Sequence, residues 1–125
     1  MDLKIQESAE NYLETILILS HRQGMVRSID IAAELSFSKP SVSVAMKNLR
    51  ENGYIQVDGD GFITLTEAGL AIAEMIYERH SLLSGWLTAL GVDPKVATED
   101  ACRIEHVISP ESFEAIKQHV GRVAQ

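Results

Sequence analysis

Apolar residues recur at helical spacing along most of this chain, with one short interruption. Between residues 4 and 22, Ile5, Ala9, Tyr12, Leu13, Ile16, Leu17 and Leu19 fall on one face, and Gly24 stops the helix they predict. Residues 28–35 read as a short helix with Ser28 as its N-cap. Phe37-Ser38-Lys39-Pro40 then makes a turn, its proline suited to a first helical position. The next helix, Ser41 to Asn52, buries Val42, Ala45, Met46 and Leu49 and ends at Gly53. Over residues 54–66 the period changes. Tyr54, Ile55 and Val57, then Phe62, Ile63 and Leu65, flank Asp58-Gly59-Asp60-Gly61 and predict a β-hairpin. A long helix from Glu67 to Leu90 follows, capped by Thr66 and carrying Leu70, Ile72, Ala73, Ile76, Tyr77, Leu82, Leu83, Trp86 and Leu87. Gly91-Val92-Asp93-Pro94 breaks it. A helix from Pro94 to Ile108 comes next, and Ser109-Pro110 opens a last one ending near Val123.

Helix, helix-turn-helix and hairpin, in that order, is the plan of a winged helix-turn-helix. The expected fold is therefore mainly α with a small β-hairpin wing. Residues 1–70 would form the DNA-binding domain and residues 71–125 a helical metal-binding and dimerisation domain. The apolar content after residue 66 exceeds what a small helical appendage needs, and a homodimer would use the excess. Hydrophobic and charged contents of 46% and 23% are those of an ordinary globular chain. No apolar run approaches the ~20 residues that span a bilayer. Met1 to Glu10 lacks the layout of a signal peptide, so a cytoplasmic location is expected. The single cysteine, Cys102, has no internal disulfide partner; its thiol is free, buried or a metal ligand.

A net charge of −7 argues mildly against constitutive nucleic-acid binding, but its distribution matters more. From Ser38 to Arg50 there are three cations, Lys39, Lys47 and Arg50, and no acid. Acids gather at Glu7, Glu10 and Glu14 and again at Glu99, Asp100 and Glu105. The second helix of a helix-turn-helix presents its N-terminal end to the major groove of duplex DNA. Here Ser38, Lys39, Pro40, Ser41 and Ser43 occupy that end, and small hydroxyl residues allow close approach and bond phosphates or bases. Lys47 and Arg50 lie further along, and Arg27 precedes the first helix of the pair. The plainer reading is a winged helix used for protein contact, with the serines merely capping. The acidic wing tip, Asp58-Gly59-Asp60-Gly61, predicts little minor-groove contact.

The sharpest chemistry lies in Cys102-Arg103-Ile104-Glu105-His106. On a helix, Cys102, Glu105 and His106 share a face, and this mixed donor set suits a mid-row transition metal better than calcium or magnesium. His80 lies on the long helix expected alongside, and Asn11 and Glu14 sit three residues apart on the first. Singly, each has a dull explanation: a small buried cysteine, a surface carboxylate, a satisfied core histidine. Together they are harder to dismiss, because burying a glutamate beside a histidine without a partner is costly.

These motifs carry a resemblance. Glu10-Asn11-Tyr12-Leu13-Glu14-Thr15-Ile16, Ser38-Lys39-Pro40-Ser41-Val42-Ser43, Thr64-Leu65-Thr66-Glu67-Ala68-Gly69, Arg79-His80 and Glu99-Asp100-Ala101-Cys102-Arg103-Ile104-Glu105-His106 are similar to the diphtheria toxin repressor family, including its shorter manganese-regulator branch. The resemblance implies a cytoplasmic homodimer that binds operator DNA when Fe²⁺ or Mn²⁺ is replete and represses metal-uptake genes. It implies Asn11, Glu14, His80, Cys102, Glu105 and His106 as ligands. The stretch from Cys102 to His106 resembles the iron-responsive branch, whereas Glu14 resembles the manganese branch. Asn11 stands where those branches have Met and Asp. Ser84 and Thr98 stand where the iron branch has ancillary Glu and His ligands, so a second ion would draw on Glu14, His80 and Glu105. The chain also ends near where an SH3-like third domain begins in longer members. Fe²⁺ is the expected cofactor because Cys102 adds a softer donor, with Mn²⁺ next and Zn²⁺, Co²⁺ or Ni²⁺ binding in vitro. By this reading, metal clips the first helix to the later helices and sets the spacing of the two reading heads. Two rivals are a metal-independent winged-helix regulator answering to a small molecule or protein, and an enzyme with Cys102 as nucleophile beside His106. Against the enzyme, Cys102 reads as a mid-helix residue in core-like surroundings.

Overall fold

The computed structural model describes the backbone of residues 3–123 and the side chains of residues 7–122. Six helices and a two-stranded antiparallel hairpin make up the described chain: α1 (Leu3–Gln23), α2 (Ser28–Leu35), α3 (Lys39–Glu51), β1 (Ile55–Val57), β2 (Ile63–Leu65), α4 (Glu67–Ala89), α5 (Pro94–Ile104) and α6 (Pro110–Val123). This is a winged helix-turn-helix followed by helices. The chain divides into two compact units, with the boundary after Met75. No helix among the described residues is long and apolar enough to cross a membrane.

The first unit buries Leu13, Ile16, Leu17 and Leu19 of α1 against Ile31 of α2, Val42, Met46 and Leu49 of α3, and Ile55 and Ile63 of the hairpin. Ile5, also placed on that face, lies outside the described side chains. In the hairpin Ile55 pairs with Leu65, Gln56 with Thr64 and Val57 with Ile63. The buried Val26 adds its carbonyl to this ladder, accepting from the Ile63 N–H at 2.7 Å. The wing turn is held by Asp58, whose Oδ1 accepts from the backbone N–H groups of Asp60 and Phe62, both at 2.9 Å.

Several caps differ from the sequence pattern. α2 is capped by Arg27 rather than Ser28, and the Asp30 carboxylate accepts from the Arg27 N–H at 2.8 Å. α3 starts at Lys39, two residues before the expected Ser41, because Ser38 is its N-cap and accepts from the Ser41 N–H. Thr66 and Ser109 cap as expected, accepting from the Gly69 and Ser112 N–H groups. Leu70 and Tyr77, counted in the apolar series of α4, are exposed.

The second unit packs Leu83, Ala101 and Phe113, from α4, α5 and α6, with Leu82, Trp86, Ile104, Ile108 and Ile116 around them. α5 stops at Ile104, four residues short of the expected Ile108. Ser109 caps α6 ahead of Pro110, and a residue before proline is driven out of helical conformation. Turn bonds from the Val107 and Ile108 N–H groups to the Ile104 carbonyl complete the stop.

Gly69, in the first turn of α4, sits against the Tyr54 carbonyl, and an added Cβ would run into that oxygen. The same carbonyl accepts from the Thr66 N–H at 3.1 Å, so it is not free to move. Gly85, by contrast, has open space around it in the same helix. The same substitution should therefore act with opposite sign at the two sites. In urea denaturation, Gly69→Ala is expected to cost about 1–3 kcal/mol, whereas Gly85→Ala should gain about 0.5–1 kcal/mol.

Candidate metal centre and nucleic-acid interface

Arg79 and His80, consecutive on α4, reach the α5–α6 turn in different ways. Arg79 is buried, and its Nη1 donates to the backbone carbonyls of Glu105 at 3.0 Å and Ile108 at 3.1 Å. Its guanidinium also lies 5.6 Å from the Phe113 ring centroid, within cation–π range. His80 turns its Nδ1 to Glu105 Oε2 at 2.8 Å and to the Cys102 Sγ at 3.7 Å. The ligand atoms of His80, Cys102 and Glu105 all lie within 4.8 Å of one another. Glu105 is only 1% exposed and His80 is half-buried. The 2.8 Å contact between Glu105 and His80 is a hydrogen bond between two of the three donors.

Cys102 is exposed, which overturns its core-like reading. The thiol borders the cluster from the solvent side. His106 departs from the expected i, i+3, i+4 face because α5 has already ended. It sits in the following turn with its Nε2 3.4 Å from the other carboxylate oxygen of Glu105, outside the three-residue set. Asn11 is half-buried and Glu14 buried on α1, within the first unit. A nitrogen, a sulfur and a carboxylate oxygen converging on one point fit a mid-row divalent ion.

All eight residues expected at a nucleic-acid surface are exposed: Arg27, Ser38, Lys39, Pro40, Ser41, Ser43, Lys47 and Arg50. Two of the hydroxyls engage each other, with Ser38 Oγ donating to Ser41 Oγ at 2.7 Å. The Arg27 guanidinium stacks on the Phe62 ring of the wing at 4.3 Å. That stack, the Asp30 cap and the carbonyl contacts of Arg79 had no signal in the pattern. The acceptors of Arg79 lie 26 and 29 residues along the chain.

Residues 4–61 match the family described as "Iron dependent repressor, N-terminal DNA binding domain", and residues 66–125 match "Iron dependent repressor, metal binding and dimerisation domain". The chain belongs to this iron-dependent, or diphtheria toxin, repressor family. The family comprises metal-dependent, DNA-binding transcriptional repressors. The transcriptional regulator MntR of Salmonella typhimurium is 36% identical over 110 residues, 88% of this chain and 70% of MntR. An HTH-type transcriptional regulator of Methanocaldococcus jannaschii is 33% identical over 115 residues, 90% of this chain and 92% of its own length. Among solved structures, the manganese regulator SloR superposes with a TM-score of 0.80 at 28% identity, over 90% of this chain and 53% of SloR. A manganese-dependent transcriptional repressor in complex with manganese gives 0.82 at 27%, over 90% of this chain and 52% of its own. The chain thus spans about half the length of these two solved proteins.

Arg79→Leu should strand the Glu105 and Ile108 carbonyls without their buried donor. Each buried polar group left unpaired costs about 1–3 kcal/mol. The expected result is a lower urea midpoint for the metal-free protein, together with weaker metal binding in calorimetry.

Proposed function

We propose that this chain represses transcription by binding operator DNA as a homodimer when a divalent transition-metal ion is held by His80, Cys102 and Glu105. The observation that carries this is the convergence of those three donors around a carboxylate only 1% exposed. His106, beside the second oxygen of Glu105, orients that carboxylate or joins the ligands. Asn11 and Glu14 enter as ligands on the family resemblance alone. The bound ion supplies positive charge to a carboxylate-bearing site. It shifts the protein toward the DNA-competent state only by its differential affinity for that state. Arg27, Ser38, Lys39, Pro40, Ser41, Ser43, Lys47 and Arg50 form the surface offered to the duplex.

The Cys102 donor favours Fe²⁺ as the physiological ion, since a thiolate is softer than an oxygen ligand. Mn²⁺ is the second reading, supported by relatives named as manganese regulators. Zn²⁺, Co²⁺ and Ni²⁺ bind in vitro, following the general affinity order. A metal-independent regulator would leave the His80–Cys102–Glu105 cluster without a purpose. A Cys102 nucleophile finds no support in relatives named as transcriptional regulators.

Duplex binding measured with Mn²⁺, with anaerobic Fe²⁺ and with a chelator tests the proposal. Metal should tighten binding by about 5- to 150-fold, and both Glu105→Ala and the isosteric Glu105→Gln should abolish that stimulation. Cys102→Ala should weaken Fe²⁺ activation more than Mn²⁺ activation. Equal binding by the stripped protein, or full stimulation in the Glu105 variants, would contradict the assignment.

A further inference from the structure

We infer that Val44 reads the 5-methyl group of a thymine in the major groove, and so sets base preference at one position of each half-site. The inference rests on the DNA-binding reading above. Val44 is 61% exposed and is the sole large hydrophobic residue of α3 exposed to that degree among the described residues. At ~100° per residue it lies about 160–200° around the helix from the buried Val42 and Met46, directly away from the core. Pro40 and Lys47 flank it along the same exposed face. From Ser38 to Arg50 the chain holds Lys39, Lys47 and Arg50 and no acid. The apolar spot is thus framed by charge complementary to a phosphate backbone.

The side chain narrows what it can recognise. Valine has no donor or acceptor, so it cannot pair with the polar base edges that distinguish guanine, adenine and cytosine. A base edge covered by it would lose water without compensation. Thymine alone among the four bases presents a methyl group in the major groove. Valine's two γ-methyls are held in essentially one χ1 rotamer on a helix, so little side-chain entropy is lost on contact. An apolar, stiff, outward-facing residue at this position therefore selects thymine by burying methyl against methyl.

The experiment uses the full chain with Mn²⁺. Duplexes are enriched from a random pool, and each thymine of the enriched sequence is then replaced singly by deoxyuridine, which lacks only the methyl. One thymine per half-site should be sensitive, its replacement weakening binding about fourfold. Val44→Ala, exposed and a better helix former, should fold normally and lose that sensitivity while other positions behave as in the wild type. Val44→Gln should shift the preferred base there toward adenine. The same uracil penalty in Val44→Ala, or no sensitive thymine at all, overturns the assignment and leaves the repressor reading intact. If no duplex is enriched in the presence of metal, the repressor reading itself fails, and the role of Val44 falls with it.

Discussion

A carboxylate withdrawn from water must find charge or donors nearby, and Glu105 imposes that constraint on the second unit. Left alone, a buried carboxylate would cost several kcal/mol. Its two oxygens instead face His80 and His106, and its backbone carbonyl accepts from Arg79. Meeting those demands accounts for much of the local architecture. α4 must deliver two consecutive residues with different tasks, and α5 must end where Glu105 can turn inward. The bend that follows carries His106 to its place and hands the chain to α6. A buried carboxylate set between two histidines favours a cation, whether proton or metal ion.

The first unit was legible to the degree that its determinants are local. The apolar spacing of α1 and α3, the change of period at the hairpin and the cap at Thr66 depend on residues a few positions apart, as does the Ser109 cap in the second unit. Arg79 depends instead on distant partners. Nothing near Arg79 announces that its acceptors belong to a turn more than two dozen residues away, or that those bonds help to close α5. Cys102 looked interior because its neighbours Ala101 and Ile104 are apolar, but helical rotation turns it outward. The cap of α2 departs from Ser28 for a purely local reason. The Asp30 carboxylate reaches back to the Arg27 N–H and moves the helix start by one position.

The winged unit joins its parts by backbone as much as by side chains. Val26 extends the hairpin ladder from the segment between α1 and α2, and the next residue, Arg27, lays its guanidinium over Phe62. The segment that leads into the helix-turn-helix is therefore also a brace for the wing. Arg22 and Glu34 add a bidentate pair from α1 to α2, at 2.9 and 3.1 Å. That hydrogen bonding holds the Glu34 carboxyl below its ordinary range and the Arg22 guanidinium above its own. Both groups are solvent-facing, so the pair guides orientation more than it adds stability.

The wing tip has a consequence for how such a protein would respond to ionic strength. Asp58 uses its carboxylate internally to hold the turn, and Asp60 beside it is exposed, so the tip offers phosphate nothing but like charge. Displaced counterions would then come from Lys39, Lys47 and Arg50 and from Arg27, whose charge its stack on Phe62 leaves intact. Each phosphate neutralised steepens the fall of affinity with added salt by roughly 0.9 in the log–log slope. A head with so few cations should lose grip only gradually as the medium becomes saltier, leaving the bound ion in stronger command of occupancy than the surrounding electrolyte.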